Sequence, residues 1–189
     1  VGVVNVACFS KAGHEVYCTD VKKIKVHQVM DGKSPIGEPE VDDLISTGIG
    51  NGTIKPTLDP KEVIENSDVL IVCVGTPSKP DGEVNLSYLN NAVMEIASLL
   101  KPDDKKFIAF RSTVPPGTTE RICGTHLGNK FPGVIPVFYP EFLREGAAIK
   151  DFMFPDRVVV GVEKFSDSSI DRIFTTVFGT LIAFSRETF

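Results

Sequence analysis

The stretch Asp68-Val69-Leu70-Ile71-Val72-Cys73-Val74-Gly75-Thr76-Pro77 decides how the rest of the chain is read. The six residues after Asp68 are apolar and rich in β-branched types, are entered from a polar turn, and are stopped by Gly and Pro. That is the pattern of a strand buried on both faces. Strands of this kind belong to parallel sheets covered by helices, and such sheets take ligands just beyond the carboxyl ends of their strands. The Gly75-Thr76-Pro77 turn is therefore the first place to expect function.

Upstream, residues 60–66 open with Pro60 at a first-turn position and predict a short helix, with a short strand at 54–58 before it. The run Gly48-Ile49-Gly50-Asn51-Gly52 lacks the strand-turn-helix context of a dinucleotide fingerprint, and a surface turn is expected there. A short helix starts within 41–46, and 34–39 (SPIGEP) is loop. Ile24, Val26, Val29 and Met30 mark a helix that ends at Asp31-Gly32. Residues 14–20 alternate as a strand closed by Asp20, and 1–12 have helical spacing with Gly13 as the stop. A chain that opens inside a helix suggests that an amino-terminal strand and turn precede it.

Downstream, a polar loop covers 78–84, and Leu89, Val93, Ile96, Ala97 and Leu100 give 86–100 one apolar helical face. Residues 106–111 form another strand that ends in Ser112-Thr113-Val114-Pro115-Pro116-Gly117, the second strand to stop in hydroxyls, Pro and Gly. Two such endings point to a shared ligand crevice. A helix at 118–127, a strand at 133–138 interrupted by Pro136, a loop at 140–146, a strand at 157–162, a helix at 168–177 and a strand at 180–183 complete the alternation. The whole is a doubly wound α/β fold with a mostly parallel sheet.

With 189 residues, 42% apolar composition and 24% charge, the chain is of ordinary globular type. Its net charge of -5 speaks against nucleic acid or an anionic membrane as a partner. No apolar run approaches the roughly 18 residues of a membrane span, so a cytoplasmic protein is expected. Cys8, Cys18, Cys73 and Cys123 are too far apart for metal-ligand spacing and read as buried reduced thiols, with no metal site.

Asp20 at a strand end can accept hydrogen bonds from both hydroxyls of an adenosine ribose, or can simply cap a turn. Lys25 can steady the adenosine end or be solvated. Thr76, Ser112 and Thr113 offer uncharged hydroxyls for a ribose, a carboxamide or an ordered water, and turn capping would explain them equally. Glu141 and Glu145 would share a face if their loop were helical, so that one could act as a base through water. A solvated pair flanking Arg144 is the alternative.

Taken together, VG-x5-C-x4-GHEV at 1–16, Asp20 with Lys25, SPIGEP, GTPS at 75–78, RSTVPPGT at 111–118, PEFLREG at 140–146 and FPDRVVVG at 154–161 resemble the amino-terminal NAD-binding domain of the UDP-glucose/GDP-mannose dehydrogenase family over roughly residues 1–163. The resemblance implies a Rossmann-type domain whose first strand is absent, residues 1–189 forming one domain without the sugar-binding domains. Enzymes of that family oxidise the hydroxymethyl carbon of a nucleotide sugar to a carboxylate with two NAD+ in succession, and the full-length enzyme is expected to be a homodimer. By the same resemblance Val1 and Gly2 belong to the phosphate-binding fingerprint and Asp20 and Lys25 to the adenosine ribose. Val74, Gly75, Thr76, Pro77, Ser78, Ser112, Thr113, Val114 and Glu145 line the cofactor. Thr113 orders a water, Glu141 is the acid/base residue, and Glu141, Phe142, Leu143, Arg144 and Glu145 meet the sugar nucleotide. The chain departs from the family at Tyr139, where Asn is common, and at Gly37, where Tyr is frequent. The family's nucleophilic cysteine belongs to its later half, so the fragment alone should not complete the oxidation. A non-catalytic dinucleotide-binding or regulatory module is the alternative.

Overall fold

Helix and strand alternate as the apolar periodicity requires, and every paired strand is parallel. The computed structural model describes residues 1–162; the helix expected at 168–177 and the strand expected at 180–183 lie outside the described residues. Within them the chain forms two compact units, one made of Val1–Ser67 with Phe142–Val158 and the other of Asp68–Glu141 with residues 159–162. Parallel strands joined through helices place both units in the Rossmann-type α/β class.

The first unit begins with α1 (Gly2–Lys11), which Gly13 ends at φ +94°, a conformation that only glycine adopts without strain. Strand β1 (Val16–Cys18), helices α2 (Lys23–Met30) and α3 (Val41–Gly50), strand β2 (Ile54–Pro56), α4 (Pro60–Glu65) and α7 (Ala148–Met153) follow. Strands β1 and β2 pair from Val16↔Ile54 to Cys18↔Pro56. Val4, Ala7, Cys8, Phe9, Val41, Ile45 and Phe152 are buried, and the Phe9 and Phe152 rings meet edge to face at 5.2 Å. The helix expected from Ile24, Val26, Val29 and Met30 is present, but only Val26 and Val29 are buried, and Ile24 is 67% exposed. Asp59 caps α4 by accepting from the Lys61 N–H, with Pro60 at the first helical position as expected.

The expected surface turn at 48–52 is corrected. Gly48, Ile49 and Gly50 belong to α3, and the turn is confined to Asn51-Gly52. Gly48 is buried because a Cβ there would run into Ile54 Cδ1 and lie 2.7 Å from Ser10 Oγ, which is itself bonded to Thr53 Oγ1. Gly50, two residues on, faces open space. Alanine gains about 1 kcal/mol of helix propensity over glycine, whereas crowding a stiff, buried β-branched side chain costs about 1–3 kcal/mol. Gly48→Ala is therefore expected to lower the stability of the complete gene product by up to about 2 kcal/mol, and Gly50→Ala to raise it by up to about 1 kcal/mol. Urea midpoints that move in the same direction for both would contradict the packing argument.

The second unit holds strands β3 (Val69–Val72), β4 (Lys106–Phe110) and β5 (Val134–Phe138) in the order β3-β4-β5, with α5 (Ser87–Leu99) and α6 (Thr118–His126) packed on each other. Here too an expectation is corrected. Only Leu70 and Val72 of β3 are buried while Val69 and Ile71 are half-exposed, whereas the central β4 buries Phe107, Ile108, Ala109 and Phe110 completely. Each large side chain taken out of water contributes roughly 1.5–3 kcal/mol, so β4 anchors this unit. Pro136 does not interrupt β5. The Tyr139 N–H faces Phe110 O in β4, whereas the Phe138 N–H turns outward to Gly161 O, so the missing donor of Pro136 lies on the outer side of the ladder. The strand expected at 157–162 is reduced to that one bridge between Phe138 and Gly161.

Candidate functional site

In the second unit Val72, Phe110 and Phe138 stand level across the three parallel strands, so the segments that follow them emerge at one carboxyl edge. These segments carry Val74, Gly75, Thr76, Pro77 and Ser78 after β3, Ser112, Thr113 and Val114 after β4, and Glu141 after β5. The sheet thus brings together sequence-predicted residues whose positions span 74 to 141.

The hydroxyls divide their work. Ser112 is buried; its Oγ donates to Val74 O at 2.6 Å and accepts from the Val74 N–H at 3.1 Å, extending the ladder by one side-chain rung. Thr76 Oγ1 donates to Thr113 O at 2.8 Å. Both hydroxyls brace the strand ends, as the turn-capping alternative has it. Thr113 is exposed, which leaves its side chain facing solvent at the same edge. At Gly75 neither packing nor positive φ calls for glycine: among the described residues an added Cβ would meet no atom within 4 Å. A close-approaching ligand is a reason for glycine that the fold itself does not supply.

Glu141 is half-buried, and its Oε2 is shielded from water without a hydrogen-bond partner among the described residues. The backbone before it is held by a residue that sequence reasoning did not single out. Arg111 is 4% exposed, its guanidinium lies 4.1 Å from the Tyr139 ring centre, and its Nη1 donates to Pro140 O at 3.4 Å. Tyr139 is thus the buried platform under that arginine. Its only sequence signal was an arginine closing an apolar strand. The Cys73 thiol is pushed up to about 11 by burial, a rise to which the Glu141 charge adds and which Arg111 opposes. Burial likewise raises Cys18 to about 11 and Cys123 to about 12, so none of the three is a thiolate near neutral pH.

The first unit carries the other predicted residues. Val1 and Gly2 stand at the start of α1, whose first turn no side chain caps. Asp20 follows β1; its Oδ1 accepts from the Lys22 N–H at 2.8 Å and its Oδ2 lies 3.5 Å from Lys25 Nζ, both side chains being partly exposed. Phe142, Leu143, Arg144 and Glu145 precede α7 in irregular backbone. This stretch is not helical, so the condition under which Glu141 and Glu145 would share a face is not met. Phe142 is exposed, with the Arg157 guanidinium 5.9 Å from its ring centre.

Arg144 is engaged by Asp151: its Nε and Nη2 reach the carboxylate at 2.9 and 2.7 Å, and its backbone N–H donates at 2.9 Å. Those hydrogen bonds, side chain first and backbone second, hold the Asp151 carboxyl at about 2, below its ordinary 3.8. A depressed carboxylate stabilises the folded chain above its unfolded pKa, and that stabilisation is lost as pH falls through the folded value. The Asp151 contribution is therefore complete above about pH 4 and disappears towards pH 2. Asp151→Asn is expected to flatten the acid side of a urea-midpoint profile, and an unchanged acid slope would contradict the pairing.

No group of three or more His, Cys, Asp or Glu able to hold a metal occurs among the described residues, and no helix there is long and apolar enough to cross a membrane. A model of the NAD-binding domain of the UDP-glucose/GDP-mannose dehydrogenase family matches residues 1–181. The chain belongs to that family. UDP-glucose 6-dehydrogenase of Rhizobium meliloti is 40% identical over 96% of this chain, and GDP-mannose 6-dehydrogenase of Pseudomonas putida is 39% identical over 85%. Among solved structures, GDP-mannose dehydrogenase of Pseudomonas aeruginosa, solved as a ternary complex, superposes with a TM-score of 0.86 at 34% identity over 95% of this chain. UDP-glucose dehydrogenase of Pyrobaculum islandicum superposes at 0.82 and 29% identity, also over 95%. The match covers 41% and 38% of the two curated relatives and 42% of each solved chain, so the chain spans about two fifths of their length. The match bears out the α/β class read from the sequence and NAD as the cofactor that the resemblance implied.

Proposed function

We propose that the protein is a nucleotide-sugar 6-dehydrogenase, with residues 1–189 as its NAD-binding domain, that oxidises the sugar hydroxymethyl group to a carboxylate with two NAD+ in succession. The observation that carries this reading is Glu141 Oε2, unpartnered among the described residues, at the carboxyl edge of a parallel sheet that also carries the exposed Thr113. When bound, NAD+ supplies the electron acceptor for each oxidation.

The residues of this chain hold and orient. The open first turn of α1 at Val1 and Gly2 offers backbone N–H groups to phosphate. Asp20, whose oxygens keep lone pairs beyond their contacts with Lys22 and Lys25, accepts from the ribose hydroxyls. Val74, Gly75, Thr76, Pro77, Ser78, Ser112 and Val114 form a cofactor wall, and Glu145 is a further cofactor-binding residue. Thr113 holds a water, through which Glu141 takes the proton that the reacting hydroxyl loses on oxidation and passes it on to solvent. Phe142, Leu143, Arg144 and Glu145 meet the nucleotide sugar. A homodimer and a cytoplasmic location belong to the same reading.

The complete gene product, assayed with UDP-glucose, GDP-mannose and their N-acetylated counterparts, is expected to generate NADH with one of them. Absence of NADH with all, alongside NAD+ binding by calorimetry, would replace the dehydrogenase reading with a non-catalytic dinucleotide-binding module.

A further inference from the structure

The turn that closes the PEFLREG stretch is held by a carboxylate from far away in the chain. Glu38, in the SPIGEP loop, is half-buried and divides its two oxygens between two backbone donors. Its Oε2 accepts from the Gly146 N–H at 3.0 Å and its Oε1 from the Ala148 N–H at 2.9 Å. Gly146 reaches this position at φ +79°, which a side chain would resist, and the Ala147 N–H closes the turn on Arg144 O at 3.1 Å. On the other flank Asp151 holds the Arg144 backbone N–H together with its guanidinium.

Two carboxylates therefore fix the backbone on both sides of Glu145, while the Glu145 side chain itself is exposed. Glu38 accepts one backbone N–H on each oxygen, which fixes its carboxylate on this turn. Its charge and reach are matched to two donors two residues apart in a turn, and a neutral amide would present one acceptor and one donor to a pair of donors. The loop that carries it, read from the sequence as a mere connection, is the other half of a clamp.

We propose that Glu38 is a positioning residue that sets the backbone of residues 144–148 and, through it, the place of the Glu145 side chain at the cofactor and sugar nucleotide. This rests on the proposed role of Glu145. Ordered catalytic geometry is sensitive to displacements of about 1 Å, so releasing one side of the clamp should act on turnover.

The test is a double-mutant cycle in the complete gene product, using whichever of UDP-glucose and GDP-mannose yields NADH. Glu38→Ala is expected to lower kcat/KM by about tenfold to a hundredfold, with Glu38→Gln intermediate and serving in its place if the alanine variant fails to fold. Glu145→Ala should lower kcat/KM by itself. In the Glu145→Ala background, removing Glu38 should cost less than about twofold, because its effect passes through the missing side chain. Additive losses, or an unchanged Glu38→Ala enzyme, overturn the clamp while leaving the role of Glu145 intact. A Glu145→Ala enzyme with wild-type kinetics removes that role and the clamp with it, and a wild type that makes no NADH is the failure of the dehydrogenase reading instead.

Discussion

Glu141→Gln in the complete gene product is expected to lower kcat by roughly 10²–10⁴, with NAD+ affinity changed by less than about twofold. The amide has the size and shape of the carboxylate but cannot take a proton, so the substitution removes chemistry and leaves volume. The environment makes it a clean test. Glu141 Oε2 is buried without a hydrogen bond among the described residues, so no hydrogen bond seen to that oxygen is broken when it becomes an amide atom. Burying an unpaired carboxylate oxygen carries a desolvation cost, and the Gln variant is accordingly expected to unfold at the same temperature as wild type or higher. A slow, stable enzyme fits a residue kept for function at some expense in stability. Unchanged kcat would remove Glu141 from the proton transfer, and a large loss of thermal stability would show that Oε2 has a structural partner instead.

The same contrast explains what could be read from the sequence. Strands and helices announced themselves through local signals: Gly13 after α1, Pro60 opening α4, and Gly-Pro stops after β3 and β4. Burial was harder, because it depends on sheet order. The β3 and β4 segments are both apolar, yet only β4, paired along both edges, is buried throughout residues 107–110. The helical role of Gly48 was hidden for a similar reason, since its neighbours Ser10 and Ile54 approach through tertiary packing that overrides a glycine's poor helix propensity. At the candidate site the residues at strand ends were legible, because parallel topology makes any strand end a place for ligands. The residues that hold them were not. Glu38 meets its partners across 108 and 110 residues, and Arg111 meets Pro140 across 29, separations over which no periodicity carries information.

Arg111→Ala is expected to be the most damaging single change at the carboxyl edge of β4, costing about 2–4 kcal/mol of stability in urea unfolding of the complete gene product. The side chain is 4% exposed, and its guanidinium rests 4.1 Å from the Tyr139 ring centre, a ring buried to 3%. A desolvated cation over an aromatic face is worth about 2 kcal/mol or more, and truncation also leaves a cavity over Tyr139 and takes a donor from Pro140 O. Arg111→Lys separates these contributions. It keeps a cation but loses the planar stack and the reach of Nη1, so it should recover part of the stability and little of the geometry. Pro140 directly precedes Glu141, which links the platform to the candidate acid/base residue. The Lys variant is therefore expected to show a larger fractional loss in kcat than in NAD+ affinity. Tyr139→Leu should destabilise by a similar route, and in its background the cost of Arg111→Ala should shrink, because the two share one interaction. Independent, additive losses at the two positions would mean that the stacked geometry carries no coupling energy, and an Arg111→Ala loss below about 0.5 kcal/mol, the range of ordinary surface changes, would remove Arg111 as the support of this edge.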